Sequence, residues 1–258
     1  MAQRLAGETA LVTGSTSGLG AEIARVFAAE SATVVVTGRD VGRGEAVVAE
    51  IRAAGNRGLF IAADISTATG CDALVSEVAE TIGPPSVLVN NAASTGEYDD
   101  GPVGAISPDD WDAMLRIDVS AVAWMCRAVV PHMTGEGGGS IVNISSRAAQ
   151  HAPPAHAAYI AAKGAVEALT RSIAVDYARA GIRCNAVAPG YVVHDVRDAD
   201  IELERRARLE SMQLTRLTTA TDVAQACLFL AGREAACITG VVLAVDGGSS
   251  AARAMRLG

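Results

Sequence analysis

Tyr159 and Lys163 stand four residues apart in an Ala-rich run, 156–178, that reads as a helix. Residues at that spacing share one helix face, so a phenol and an ammonium would point into the same space. A phenol is a poor base near neutral pH, and a neighbouring cation favours its phenolate form. Such a pair can exchange a proton with an alcohol or a ketone. Tyr and Lys at this spacing also occur on ordinary solvated helices, so the pair gains meaning only from what the rest of the chain sets around it.

Short apolar runs at 9–13, 33–37, 58–62, 86–90, 140–144, 183–187 and 241–245 alternate with helical stretches near 19–30, 41–54, 68–82, 109–133, 157–180 and 221–232. Strands apolar on both faces suit a parallel sheet covered by helices on both sides. The alternation predicts an α/β chain: a single doubly wound Rossmann-type domain over 1–258, with a seven-stranded parallel sheet. No Pro-, Gly- or Ser-rich linker divides it, and the glycines at 135–139 read as a turn between helix and strand. Residues 191–213 interrupt the pattern with a charged helical segment, 198–210, just after a strand end. That insertion is a candidate substrate lid.

Composition removes other classes of function. The 258 residues carry a net charge of −8, which disfavours nucleic acid and anionic membrane surfaces. Half the chain is apolar, yet aromatics are only 3%, so the core must be built from aliphatic side chains and Ala. Cys71, Cys126, Cys184, Cys227 and Cys237 are scattered and odd in number. Without CxxC or Cys/His ligand spacing they read as reduced thiols of a cytoplasmic protein, with no metal site. Residues 1–8 do not resemble a signal peptide, and no apolar run approaches the ~20 residues of a membrane span.

The first strand runs into Thr13-Gly14-Ser15-Thr16-Ser17-Gly18-Leu19-Gly20, and a helix follows. Glycines here allow a tight turn and close approach of backbone N–H groups to a pyrophosphate, and the helix N-terminus adds positive potential. The spacing is GxxxGxG rather than GxGxxG, but its place between the first strand and helix favours dinucleotide binding over an ordinary turn. With Asp64, Asn90-Asn91-Ala92, Ser146, Tyr159, Lys163 and Pro189-Gly190, this turn resembles the short-chain dehydrogenase/reductases of ordinary length, over essentially the whole chain.

The resemblance implies roles. Tyr159 is the acid in ketone reduction and the base in alcohol oxidation. Lys163 steadies its phenolate and holds the nicotinamide ribose, and Ser146 steadies the substrate oxygen. Ser145 is set aside because Ser146 alone precedes Tyr159 by the family's 13 residues. Asp64 receives the adenine amino group and Ile65 lies against the ring; in a purely local reading Asp64 or Ser66 caps the next helix. Asn91, Ala92, Pro189, Gly190 and Val192 complete the cofactor contacts. Three positions depart from the pattern: Ala93 replaces a Gly, His194 replaces a Thr, and Asp118 replaces the Asn that completes the catalytic tetrad. The Asp118 carboxylate is positioned to pair with Lys163 and offset part of its charge.

An acidic residue at position 38 would select NAD, but Gly38 cannot bind ribose hydroxyls. Arg39 can meet a 2′-phosphate with its fork of donors, with Arg43 a second candidate and Asp40 close enough to pair with Arg39. NADP(H) is therefore favoured over NAD(H). For the pocket, His151, His156 and Tyr191 are candidate linings, whereas Tyr98, Asp99 and Asp100 read as a solvated loop. Met212 and Leu214 would give the lid an apolar underside. The lid helix mixes both charges, so the expected substrate is a small, mostly neutral ketone or secondary alcohol, cyclic or steroid-like. Small residues such as Ala128, Ala161, Ala165 and Ala168 allow close helix approach. By resemblance they point to a homotetramer, with a dimer as the alternative. The rival reading is a cofactor-binding sensor or scaffold with impaired catalysis.

Overall fold

The computed structural model describes residues 3–94, 98–193 and 202–251. The strands are β1 (Thr9–Val12), β2 (Thr33–Gly38), β3 (Arg57–Ala62), β4 (Val87–Asn90), β5 (Gly139–Ile144), β6 (Ile182–Pro189) and β7 (Val242–Val245). They form one sheet in the order β3-β2-β1-β4-β5-β6-β7. Every pairing is parallel, as continuous apolar strands require. The chain reverses direction across the sheet between β1 and β4, which opens a crevice at the strands' carboxyl ends.

The helices are α1 (Gly18–Ala29), α2 (Val41–Ala53), α3 (Ala68–Ile82), α4 (Pro108–Leu115), α5 (Ala121–Gly135), α6 (Ala157–Tyr177), α7 (Leu203–Ser211) and α8 (Ala220–Ala231). Alternate strand residues face opposite sides of the sheet and feed two separate cores. Ala10, Val12, Val34 and Val36 meet Ile23 and Phe27 of α1, Val48 of α2 and Leu228 of α8. Leu11, Val35 and Leu88 meet Leu74 and Val78 of α3, Met125 and Val129 of α5, and Val166 and Ile173 of α6. Burial of the Val, Leu, Ile, Met and Phe side chains among them, roughly 1.5–3 kcal/mol each, supplies most of the cohesion.

Three sequence expectations need correction. The predicted helix over 109–133 is two helices, α4 and α5, joined by a π-helical turn at Arg116–Ser120. Such a turn inserts an extra residue, and here it turns Asp118 into the protein interior. The helix over 157–180 ends as α6 at Tyr177, continues as a 3₁₀ turn and stops at Gly181, whose φ of +76° is the left-handed conformation that glycine adopts freely. The cap of α3 is neither Asp64 nor Ser66: the Thr67 hydroxyl accepts from the Gly70 N–H at 3.1 Å. In the expected lid, α7 begins at Leu203, while 194–201, including His194, lie outside the described residues.

Candidate active site

A cleft of about 1040 Å³ opens along the carboxyl ends of the strands. One wall is the turn from β1 to α1. Gly14 (φ +62°) and Gly18 (φ +54°) hold left-handed conformations. A Cβ on Gly14 would lie 2.8 Å from Ala92 Cα, and one on Gly20 2.4 Å from Gly14 O. The turn is thus packed directly against the end of β4. The Asn91 side-chain amide donates to the carbonyls of Thr13 (2.9 Å) and Gly14 (3.1 Å), and the Thr13 hydroxyl accepts the N–H groups of Asn91 and Ala92. Ser17, the N-cap of α1, makes no side-chain cap bond. The first turn of α1 therefore faces the cleft with its backbone donors. These features fit a dinucleotide pyrophosphate.

Of the residues predicted to bind cofactor, Gly14, Thr16, Ser17, Gly18, Leu19, Gly20, Arg39, Asp64, Ile65, Asn91, Ala92, Pro189, Gly190 and Val192 line this cleft. Ser15 does not. Its buried hydroxyl donates to Val12 O (2.6 Å) and accepts from the Thr37 N–H (3.0 Å), tying β1 to β2. Asp64 accepts the Ser66 N–H at 2.9 Å. That bond first, then the Ser66 hydroxyl and the charge of Arg39, hold its carboxyl below the usual range. At the end of β2, Asp40 pairs with Arg43 rather than with Arg39. Its carboxylate accepts the Arg43 N–H (2.9 Å) as the cap of α2 and the Arg43 side chain (2.7 Å). A Cβ on Gly38 would sit 2.8 Å from the Thr16 methyl, so a side chain there would require Thr16 to turn aside.

Ser146, Tyr159 and Lys163 meet on the opposite wall. The Lys163 ammonium lies 5.7 Å from the centre of the Tyr159 ring, confirming a common helix face. Lys163 is 3% exposed; its Nζ donates to Ile144 O at 3.2 Å. Asp118, fully buried, brings Oδ1 to 3.3 Å from that Nζ. The contact is an ion pair without hydrogen-bond alignment, since Oδ1 has no hydrogen-bond partner. Oδ2 is better served: it accepts the Ser94 N–H (3.1 Å) and the Ser94 hydroxyl at short range. Asp118 does not line the cleft but lies against Lys163, which does.

Ser145 and Ser146 separate clearly. The Ser145 hydroxyl is buried and donates to Glu167 Oε1 at 2.9 Å. Ser146 Oγ accepts the Ala148 N–H at 3.1 Å, which leaves its proton available to a substrate oxygen. Glu167 also takes the Gln150 amide on both oxygens (3.3 Å), gripping the Ser146 loop on either side. Sequence reading missed Glu167, although its place four residues beyond Lys163 on the same helix face was a usable signal. It also missed Ser94, for which no local signal exists. Tyr191 lines the cleft; His151 and His156 do not. His156 Nδ1 instead faces Pro154 O at 2.7 Å. Met212 and Leu214 are exposed.

A glycine-walled crevice at a topological switch point, faced by a Ser, a Tyr and a Lys, defines a doubly wound, dinucleotide-dependent oxidoreductase. A family described as "Enoyl-(Acyl carrier protein) reductase" matches residues 14–250. A 3beta-hydroxysteroid dehydrogenase of Mediterraneibacter gnavus is 37% identical over 259 residues, covering 92% of this chain and 93% of that protein. The gluconate 5-dehydrogenase of Burkholderia cenocepacia, solved with NADP and tartrate, superposes with a TM-score of 0.90 at 32% identity, covering 97% of this chain and 98% of that one. A 7 alpha-hydroxysteroid dehydrogenase solved with NADH and 7-oxo glycochenodeoxycholic acid gives 0.89 at 31% identity, covering 95% of each chain. The chain belongs to the short-chain dehydrogenase/reductase family, in its ordinary length class, and is an NAD(P)-dependent oxidoreductase acting on CH–OH and C=O groups. Among the described residues no helix is long and apolar enough to cross a membrane.

Proposed function

We propose that this enzyme interconverts a neutral, cyclic or steroid-like secondary alcohol and its ketone using NADP(H), with Tyr159 as the proton-transfer group. The observation that carries this reading is the Lys163 ammonium 5.7 Å from the Tyr159 ring, on a cleft wall shared with Ser146. The nicotinamide supplies or accepts the hydride. Tyr159 gives its proton to the carbonyl oxygen in reduction and takes it from the hydroxyl in oxidation. Lys163 steadies the phenolate and holds the nicotinamide ribose. Ser146 donates to the oxygen on which charge develops. Asp64 and Ile65 receive the adenine, and Asn91, Ala92, Pro189, Gly190 and Val192 flank the rest of the dinucleotide.

The preference for NADP(H) is supported by the end of β2. No carboxylate stands at Gly38, Asp40 is taken up by Arg43 and the cap of α2, and Arg39 lines the cleft. The steroid-like substrate class is supported by relatives named for hydroxysteroids. Residues 191–213 act as the substrate lid within a single domain. Exposed Trp124 on α5, Val175 and Tyr177 on α6 and Val241 before β7 support assembly into a homotetramer. Free thiols throughout are in keeping with work in the cytoplasm.

The test is a steady-state screen of cyclic ketones, hydroxysteroids and polyols with both cofactors, following the absorbance of the reduced nicotinamide, run beside Tyr159→Phe. Expected are turnover of a cyclic or steroidal substrate, a higher kcat/KM with NADP(H), and a loss of roughly 10²–10⁴ in the variant. A clear NAD(H) preference would overturn the cofactor assignment. Equal rates for parent and variant would favour a sensor or scaffold.

A further inference from the structure

Asp100 lies between β4 and α4, in a stretch that reads from sequence as a solvated loop. In the folded chain it is partly buried, and its carboxylate meets the first turn of α6, 58 positions away. Oδ1 accepts the Ala158 N–H at 3.1 Å and Oδ2 the Tyr159 N–H at 3.0 Å. Oδ1 also accepts the Gly101 N–H at 2.8 Å, and Gly101 O accepts the Ala157 N–H at 3.1 Å. Residues 100 and 101 thus satisfy the first three N–H groups of α6. The local N-cap, His156, makes no side-chain cap bond. A carboxylate borrowed from another loop performs the task, favoured by the positive end of the helix.

One of those three N–H groups belongs to Tyr159 itself. Four residues on, Lys163 is secured by different elements, Ile144 O from β5 and Asp118 from the π-helical turn. The position of the phenol relative to the ammonium therefore depends on how the first turn of α6 is seated. We propose that Asp100 is a positioning residue: it holds Tyr159 in register with Lys163 and Ser146, and it couples the loop after β4 to the helix that carries the proton-transfer group. This rests on the reading of Tyr159 given above.

A double-mutant cycle tests it, with Asp100→Ala, Tyr159→Phe and the double variant assayed with NADP(H) and the best alcohol from the screen. Asp100→Ala should lower kcat roughly tenfold, because small displacements of a reacting group are costly. KM and the dissociation constant for NADP(H) should stay within about threefold. Asp100→Asn, which keeps one acceptor oxygen, should recover part of the loss. In the Tyr159→Phe background Asp100→Ala should cost nothing further, since both changes act through one group. The same loss in both backgrounds, or melting lowered with kcat unchanged, would leave Asp100 a structural cap and overturn the proposal alone. Parent-like rates for Tyr159→Phe would overturn it together with the reading it rests on. Should Asp100→Ala fail to fold, Asp100→Asn and Asp100→Ser run in the same cycle give the same decision.

Discussion

The two walls of the cleft are built from different materials. The wall between β1 and α1 is backbone: glycines in left-handed conformations, a helix N-terminus, and main-chain groups packed where no Cβ fits. The wall between β5 and α6 is side chain, held by groups that are buried and polar. Beneath it the Asn90 amide donates to Asn143 Oδ1, and the Asn143 amide to Thr170 Oγ1, both at 2.9 Å. Asp118, Lys163 and Glu167 add three buried ionisable groups. A backbone wall can recognise a phosphate with little dependence on side-chain identity. A side-chain wall can move protons, but each buried polar group must find partners, and those partners come from distant parts of the chain.

The sharpest way to break this contrast is a methyl group on the backbone wall. Gly20→Ala should weaken NADP(H) binding roughly 100-fold, about 3 kcal/mol, through overpacking against Gly14 O. A fluorescence titration measures it, and parent-like affinity would show that close backbone approach is not what the turn is for.

On the side-chain wall the expected effect is smaller and electrostatic. On the proposed mechanism Tyr159 takes the proton in alcohol oxidation, and the Asp118 carboxylate offsets part of the charge of the Lys163 ammonium 3.3 Å away. Asp118→Asn removes that offset, so the rising limb of the pH–rate profile for oxidation should move to lower pH. The plateau should stay within roughly tenfold, about 1.4 kcal/mol of barrier. Profiles of kcat/KM for the two proteins decide; superimposable curves would mean that the ion pair has no bearing on proton transfer.

The smallest effect is expected away from both walls, at the capping box of α8. Thr219 and Asp222 cap each other's backbone N–H groups, and Arg216 grips the Asp222 carboxylate at 2.6 and 2.7 Å. The Arg216 hydrogen bonds, against a desolvation cost, hold Asp222 well below the usual carboxylate range. Because the folded value is depressed, the stabilisation is present above the unfolded value near 3.8 and is lost as pH falls through the folded one. Asp222→Asn should cost about 1 kcal/mol or less at neutral pH, and the gap from the parent should close in strong acid. Thermal melts at the two pH values check the sign, and catalysis should be untouched.

Legibility followed the same division. The glycine turn, the strands and the Tyr159–Lys163 pair were readable because each depends on residues near one another in sequence. Even the Asp118–Lys163 pairing was anticipated, from a position where Asn is usual. What was not readable depended on contacts between distant segments. Asp100 looked solvated because its partners lie in α6. Ser15 was counted with the cofactor contacts of the glycine turn because nothing local says that its hydroxyl joins β1 to β2. Asp40 paired with Arg43 rather than Arg39 because α2 begins at once and brings its third residue over its own cap.

By itself, then, the sequence determined the strand–helix alternation and the glycine turn, since periodicity and local steric rules are properties of short segments, while the roles proposed for Ser146, Tyr159 and Lys163 came from resemblance to a family. Only the tertiary structure decided how those side chains are held. The π-helical turn, the carboxylate of Asp100 on α6, Ser94 on Asp118 and Glu167 astride the Ser146 loop all answer one demand: a buried polar group must be satisfied by whatever donor or acceptor the folded chain brings within reach.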